Sequence, residues 1–141
     1  MRHFIVFLFA ALALALAACS APAPASNASQ VVTLDANEFK FEPATVQITT
    51  GRPVKVILRN KGSIEHDWSV MKLAVAGKQE SGDAHGMSNM AEEPAVHVAA
   101  MNGKTGELEF TPTSPGTYEF VCTVAGHKEA GMVGKLVVVN P

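Results

Sequence analysis

Three side chains able to bind a soft metal stand close together near the C-terminal end of the chain. The stretch Cys122-Thr-Val-Ala-Gly-His127-Lys-Glu-Ala-Gly-Met132 holds a thiolate, an imidazole and a thioether within eleven residues. Thiolate and thioether are soft ligands, and imidazole suits copper. Gly126 and Gly131 immediately precede the His and the Met, so the backbone can turn sharply enough to bring all three side chains around one point. A fourth donor must come from elsewhere. His66, in Asn60-Lys-Gly-Ser-Ile-Glu-His66-Asp-Trp68, lies just past a turn and at the start of a strand. Two His, one Cys and a weak axial Met make the ligand set of a mononuclear copper site that passes single electrons. A site held between the geometries that Cu(II) and Cu(I) prefer needs little rearrangement on each transfer. Taken singly, the Cys reads as an inert buried thiol, the His as a surface residue and the Met as core filler. The shared spacing, the flanking glycines and the upstream His favour ligation. The set leaves no open position for a substrate, which argues against an enzyme.

Cysteine usage points the same way. There are two cysteines, Cys19 and Cys122. If Cys19 is modified at the N-terminus, Cys122 is an unpaired thiol in an oxidising compartment, and metal ligation explains why it is there.

The elements that must position these ligands read as strands. Val46 and Ile48 alternate with Gln47. Val54, Val56 and Leu58 face one way, Lys55 and Arg59 the other. Leu108 and Phe110 alternate with Glu107 and Glu109. Tyr118, Phe120 and Cys122 share a face opposite Glu119, and Leu136 and Val138 lie opposite Lys135. Turn signals separate the runs, among them Asn60-Lys61-Gly62, Asn102-Gly103 and Pro115-Gly116. Short strands at close spacing predict an all-β antiparallel sandwich. Trp68–Leu73 is expected to be a strand and Trp68 part of the core. Ala74–Ala95 shows no period and predicts a long excursion between strands, with room for a short helix.

Composition bounds the rest. The chain has 141 residues, 11 Lys+Arg against 13 Asp+Glu and net charge −2, which suits one domain and gives no basic stripe for nucleic acid. Arg2 and His3 precede an apolar run from Phe4 to Ala18, too short for a comfortable membrane span and typical of a signal-peptide core. It ends in Leu16-Ala17-Ala18-Cys19, which resembles the bacterial lipoprotein box. That resemblance implies lipidation of Cys19. Residues 1–18 are then a leader, residues 19–30 a flexible Ala/Pro/Ser tether and residues 31–141 the folded domain. The plain alternative is a secretory signal with an incidental Cys. The expected location is the cell envelope, lipid-anchored and facing the periplasm or the outside. Ser20 lacks the Asp that retains some lipoproteins at an inner membrane.

With these residues in view, the chain resembles a cupredoxin, the family of plastocyanin, azurin, auracyanin and rusticyanin. Besides the ligand loop, Phe39-x-Phe41-x-Pro43, Val46-x-Ile48, Gly51, Val54-x-Val56, Asn60-x-Gly62 before His66-Asp67, and Pro115-Gly116-Thr117-Tyr118 carry the likeness. The Cys-x4-His-x4-Met spacing is that of auracyanin- and rusticyanin-like members, whereas plastocyanins have a shorter Cys-to-His gap. The resemblance implies a Greek-key sandwich with one type 1 copper, His66, Cys122 and His127 equatorial and Met132 axial. It implies an apolar docking patch around His127, here Val124, Ala125, Ala130 and Val133, and bracing of the ligands by Asp67 and Asn60. Ordinary turn hydrogen bonding is an equal reading of those two. Lys128 and Glu129 inside the loop either tune partner choice or are simply solvated.

The leading functional expectation is a one-electron carrier between redox proteins, such as a cytochrome or a membrane redox complex. It would act as a monomer held at the membrane by its lipid alone. The alternative is copper handling, as a chaperone, store or resistance protein. Its specific support is His85-Gly-Met87-Ser-Asn-Met90, with His97 and Met101 beyond, which reads either as a second copper site or as a loop with incidental His and Met.

Overall fold

The computed structural model of the chain describes residues 28–81 and 92–141. The leader, Cys19, His85, Met87 and Met90 lie outside the described residues. The remainder is built from strands packed as a two-sheet sandwich. One sheet joins, in chain order, β1 (Gln30–Asn37), β2 (Lys40–Glu42), β4 (Val54–Asn60), β6 (Val75–Ser81) and β8 (Thr105–Pro112). The other joins β3 (Thr45–Thr49), β5 (His66–Val70), β7 (Val96–Ala100), β9 (Gly116–Val121) and β10 (Val133–Val139). The inward-facing set read from alternation forms the core. Val46, Ile48, Val54, Val56, Leu58, Leu108, Phe110, Phe120, Leu136 and Val138 are buried. Trp68 is fully buried and lies against Phe110 and Phe120, at ring-centroid distances of 6.3 and 5.7 Å.

The sandwich is not antiparallel throughout. β1 runs parallel to β4 and β3 parallel to β10, while the other pairings are antiparallel. The chain leaves the first sheet after β2, adds β3 to the second, and returns at β4 alongside β1. Period-two patterning shows that a segment is a strand but carries no information on its direction.

Three boundaries differ from the sequence reading. Gln30, assigned by composition to the tether, is part of β1: its amide donates to Pro53 O, and its side chain both donates to Thr49 O and accepts from Thr49 N. The strand at Trp68 begins earlier and ends earlier, at His66–Val70. The excursion is shorter than Ala74–Ala95, because β6 pairs with β8 along its edge. No helix is formed among the described residues. β6 shows no apolar alternation because it is an exposed edge strand, polar at Lys78, Gln79 and Glu80, held mainly by backbone pairing to β8. Its register shifts between Ala76 and Gln79, around Gly77 at φ 55°.

β5 is buried along its whole length despite the sequence His-Asp-Trp-Ser-Val. It lies between β7 and β9; Asp67 and Ser69 are hydrogen-bonded, and His66 is directed into the site described next.

Candidate metal centre

β9 runs straight into Cys122, and β10 starts just after Met132. The loop between them is closed by its own backbone. Cys122 N donates to Met132 O (3.1 Å), Met132 N to His127 O (2.9 Å), and His127 N to Val124 O (3.0 Å). Gly126 and Gly131 adopt φ of 83° and 98°, the left-handed conformation that side-chain-bearing residues avoid. An eleven-residue excursion is thereby folded so that Cys122, His127 and Met132 are all buried.

His66 enters from the other side, at the head of β5. The turn before it hangs on Asn60, whose Nδ2 donates to Ile64 O (2.6 Å) and Ala100 O (2.8 Å). Asn60 Oδ1 accepts from Gly62 N (2.8 Å). The next residue, Asp67, faces away from the core and ties β5 to the loop. Its carboxylate accepts from Thr123 N (2.9 Å), Thr123 Oγ1 (2.6 Å) and Ser69 Oγ (3.0 Å), while its own amide donates to Cys122 Sγ (3.4 Å).

One donor atom from each of His66, Cys122 and His127 lies within 4.8 Å of the others, and all three residues are buried. Nδ1 is the nitrogen that faces the sulfur in both imidazoles, at 3.3 Å for His127 and 4.0 Å for His66. The two rings stand 5.0 Å apart. Met132, fully buried, adds a thioether to the same loop. Three buried donors converging without a positive partner is costly unless a cation sits among them. The donor set is soft and nitrogen-bearing, which fits copper rather than a hard ion.

Electrostatics support that fit. Burial pushes the Cys122 thiol up to about 12, with the nearby Asp67 charge adding to the rise. Burial, and then repulsion from His127, lowers the His66 pKa, so its neutral ligand form is favoured. A bound cation reverses the first shift, since it holds the sulfur as thiolate, and reinforces the second, since it repels the imidazolium proton.

The structure places the other residues singled out from the sequence as follows. Ala125, Ala130 and Val133 are exposed and Val124 is half-buried. Lys128 pairs with Glu119 at 3.3 Å on the surface. His97 is buried on β7 with Nδ1 3.4 Å from Glu80, and Met101 is half-buried. Two neighbours of the site were not assigned to it from the sequence, both on the turn between β1 and β2, although Phe39 stands in a motif that carries the family likeness. Phe39, at φ 60° and 43% exposed, sets its ring edge-on to His127 at 5.3 Å. Glu38 accepts from Ser63 N and from Ser63 Oγ (2.8 Å), above the turn that presents His66. The Ser63 amide is the main reason the Glu38 carboxyl falls to about 2. Only the positive φ demanded of a non-glycine residue marks this turn as unusual, and sequence does not show it.

The chain matches the family model for the cupredoxin-like domain over residues 7–138. It is 38% identical over 105 residues to the copper-resistant cuproprotein CopI of Rubrivivax gelatinosus, covering 73% of this chain and 62% of the relative. The chain therefore spans less than two thirds of that relative's length. Auracyanin-A of Chloroflexus aurantiacus is 30% identical over 114 residues, covering 72% of this chain and 68% of the relative. The crystal structure of dithionite-reduced auracyanin from Roseiflexus castenholzii superposes with a TM-score of 0.62. It covers 79% of this chain and 98% of that one, at 18% identity, a likeness of fold.

Proposed function

The chain belongs to the cupredoxin-like family, and from that premise we propose that it carries single electrons on one copper. His66 Nδ1, Cys122 Sγ and His127 Nδ1 are the equatorial ligands in this reading, and the Met132 thioether the axial one. The observation that carries it is the convergence of three buried donor atoms within 4.8 Å. When bound, copper supplies the Cu(I)/Cu(II) couple. The chain supplies rigidity, because both backbones that bear the ligands are pinned by hydrogen bonds independent of the metal. Four protein donors leave no room for a substrate, so an enzymatic role is not part of the proposal.

Electrons enter and leave along the His127 edge. Phe39 touches its ring, and Ile64 and Val133, each close in sequence to a ligand, are 43% and 36% exposed. With Ala125 and Ala130 they offer a small apolar face suited to brief encounters with a redox protein. We place the domain at the outer face of a membrane, tethered through Cys19. The support is the Leu16-Ala17-Ala18-Cys19 pattern.

Copper handling is the second reading, favoured by the relative named a copper-resistant cuproprotein. Repeated chemical oxidation and reduction in the presence of a Cu(I) chelator separates the two. A carrier cycles one electron per copper and keeps its metal. Loss of copper to the chelator on each reduction would move the assignment to handling.

A further inference from the structure

The Nε2 atom of His66 is buried and has no hydrogen-bond partner among the described residues. That is unusual for an imidazole nitrogen, since buried polar groups are nearly always paired. The orientation of the ring makes it matter. Nδ1 faces the Cys122 sulfur, so it must keep its lone pair to serve as a ligand, and the proton of the neutral ring must then sit on Nε2. A ligating His ordinarily gives that proton to an acceptor that fixes its tautomer and orientation.

Gly62 shows what stands nearest. A Cβ built at Gly62 would fall 2.8 Å from His66 Nε2 and 2.8 Å from Glu38 Oε1. The two polar atoms thus flank the same glycine. Any residue larger than glycine would fill the gap. The carboxylate is held over it by the two Ser63 donors.

Resting on the copper reading above, we infer that Glu38 is a positioning residue for the metal centre. Its carboxylate stands across Gly62 from His66 Nε2–H, becomes that proton's acceptor on a small approach, favours the ring orientation with Nδ1 toward Cys122, and places a negative charge behind that ligand. Such a charge makes the imidazole a better donor and favours Cu(II) over Cu(I). The turn between β1 and β2 therefore acts on both histidines, Glu38 behind His66 and Phe39 against His127.

Glu38→Gln separates charge from shape, because the amide oxygen can still accept both Ser63 hydrogen bonds. In the copper-loaded protein, voltammetry should show a higher reduction potential for Glu38→Gln, by an amount that shrinks as salt is added, since Glu38 is exposed. The visible band should keep its position. Asn102→Ala removes a different brace on the same turn, the Nδ2 bond to Ser63 O at 2.7 Å, and should leave the potential as in the wild type. Ring ¹⁵N spectra of the copper-free protein give a readout independent of metal. His66 should be the Nε2–H tautomer in the wild type and lose that preference in Glu38→Ala. An unchanged potential in Glu38→Gln, or an unchanged His66 tautomer in Glu38→Ala, would overturn the inference. A wild type that shows the tautomer but no thiolate–copper band would instead overturn the copper reading.

Discussion

Cys122 binds copper only by giving up a proton that burial holds to about 12. Copper loading should therefore release close to one proton per metal from this thiol near pH 8, read as the difference between wild type and Cys122→Ser in a weakly buffered titration. Below pH 12 the apparent affinity of the wild type should rise up to about tenfold per pH unit from this group alone. An equal release from both proteins would contradict ligation through sulfur. Glu38 works in the opposite direction. Its pKa drops from 4.5 to about 2 on folding, so its grip on Ser63 is complete above pH 4.5 and disappears as pH falls through 2. The Ser63 amide resonance should hold its position to about pH 3 and move only in stronger acid. Asn60 is the structural pin of the His66 turn. Asn60→Ala leaves the buried Ala100 carbonyl, the Ile64 carbonyl and the Gly62 amide without their partner and should lower stability by about 2 kcal/mol in chemical denaturation. The ligand loop was legible in the sequence because every constraint on it is local: donor types, spacing and two glycines at positive φ. Glu38 was not, because Ser63 and His66 lie 25 or more residues away and neither Glu38 nor Phe39, the two residues of the turn itself, is a turn former.

At the scale of elements, β10 and β9 are locked by a close approach that only glycine allows. A Cβ at Gly134 would come within 2.2 Å of the Phe120 ring and 2.8 Å of Ala44 O. Gly134→Ala should cost about 1–3 kcal/mol, the usual penalty for overpacking, and should loosen the start of β10 beside Met132. Thermal unfolding of the copper-free variant checks it; an unchanged midpoint would mean that Phe120 moves aside freely. The inward faces of β3, β4, β8, β9 and β10 were legible because one side is apolar and the other wet. β6 was not, since an edge strand needs no apolar side to pair. β5 offered a weak pattern because it is buried on both sides, its polar side chains taken up by Thr123 and the metal centre. Which strands run parallel is a property of the crossovers between sheets, and alternation does not encode it.

For the molecule as a whole, Phe39, Ile64 and Val133 are large apolar side chains left exposed close to the ligands in sequence or in space. Two copies meeting at this face could exchange electrons through His127. Ile64→Ser should slow electron self-exchange several-fold, seen in the line widths of mixed Cu(I) and Cu(II) samples, with the visible spectrum as in wild type. An unaltered rate would place the docking face elsewhere. The surface ion pair Lys128–Glu119, exposed on both sides, adds little binding energy at this face.

Copper bound through Cys122 is the premise of every electron-transfer property proposed for this protein. The most direct test is the visible and electron paramagnetic resonance spectrum of the Cu(II)-loaded protein beside that of Cys122→Ser. An intense thiolate-to-copper band with narrow copper hyperfine splitting in the wild type, absent in the variant, is the predicted result. A colourless wild type, or one whose copper spectrum survives the loss of Cys122, would contradict it.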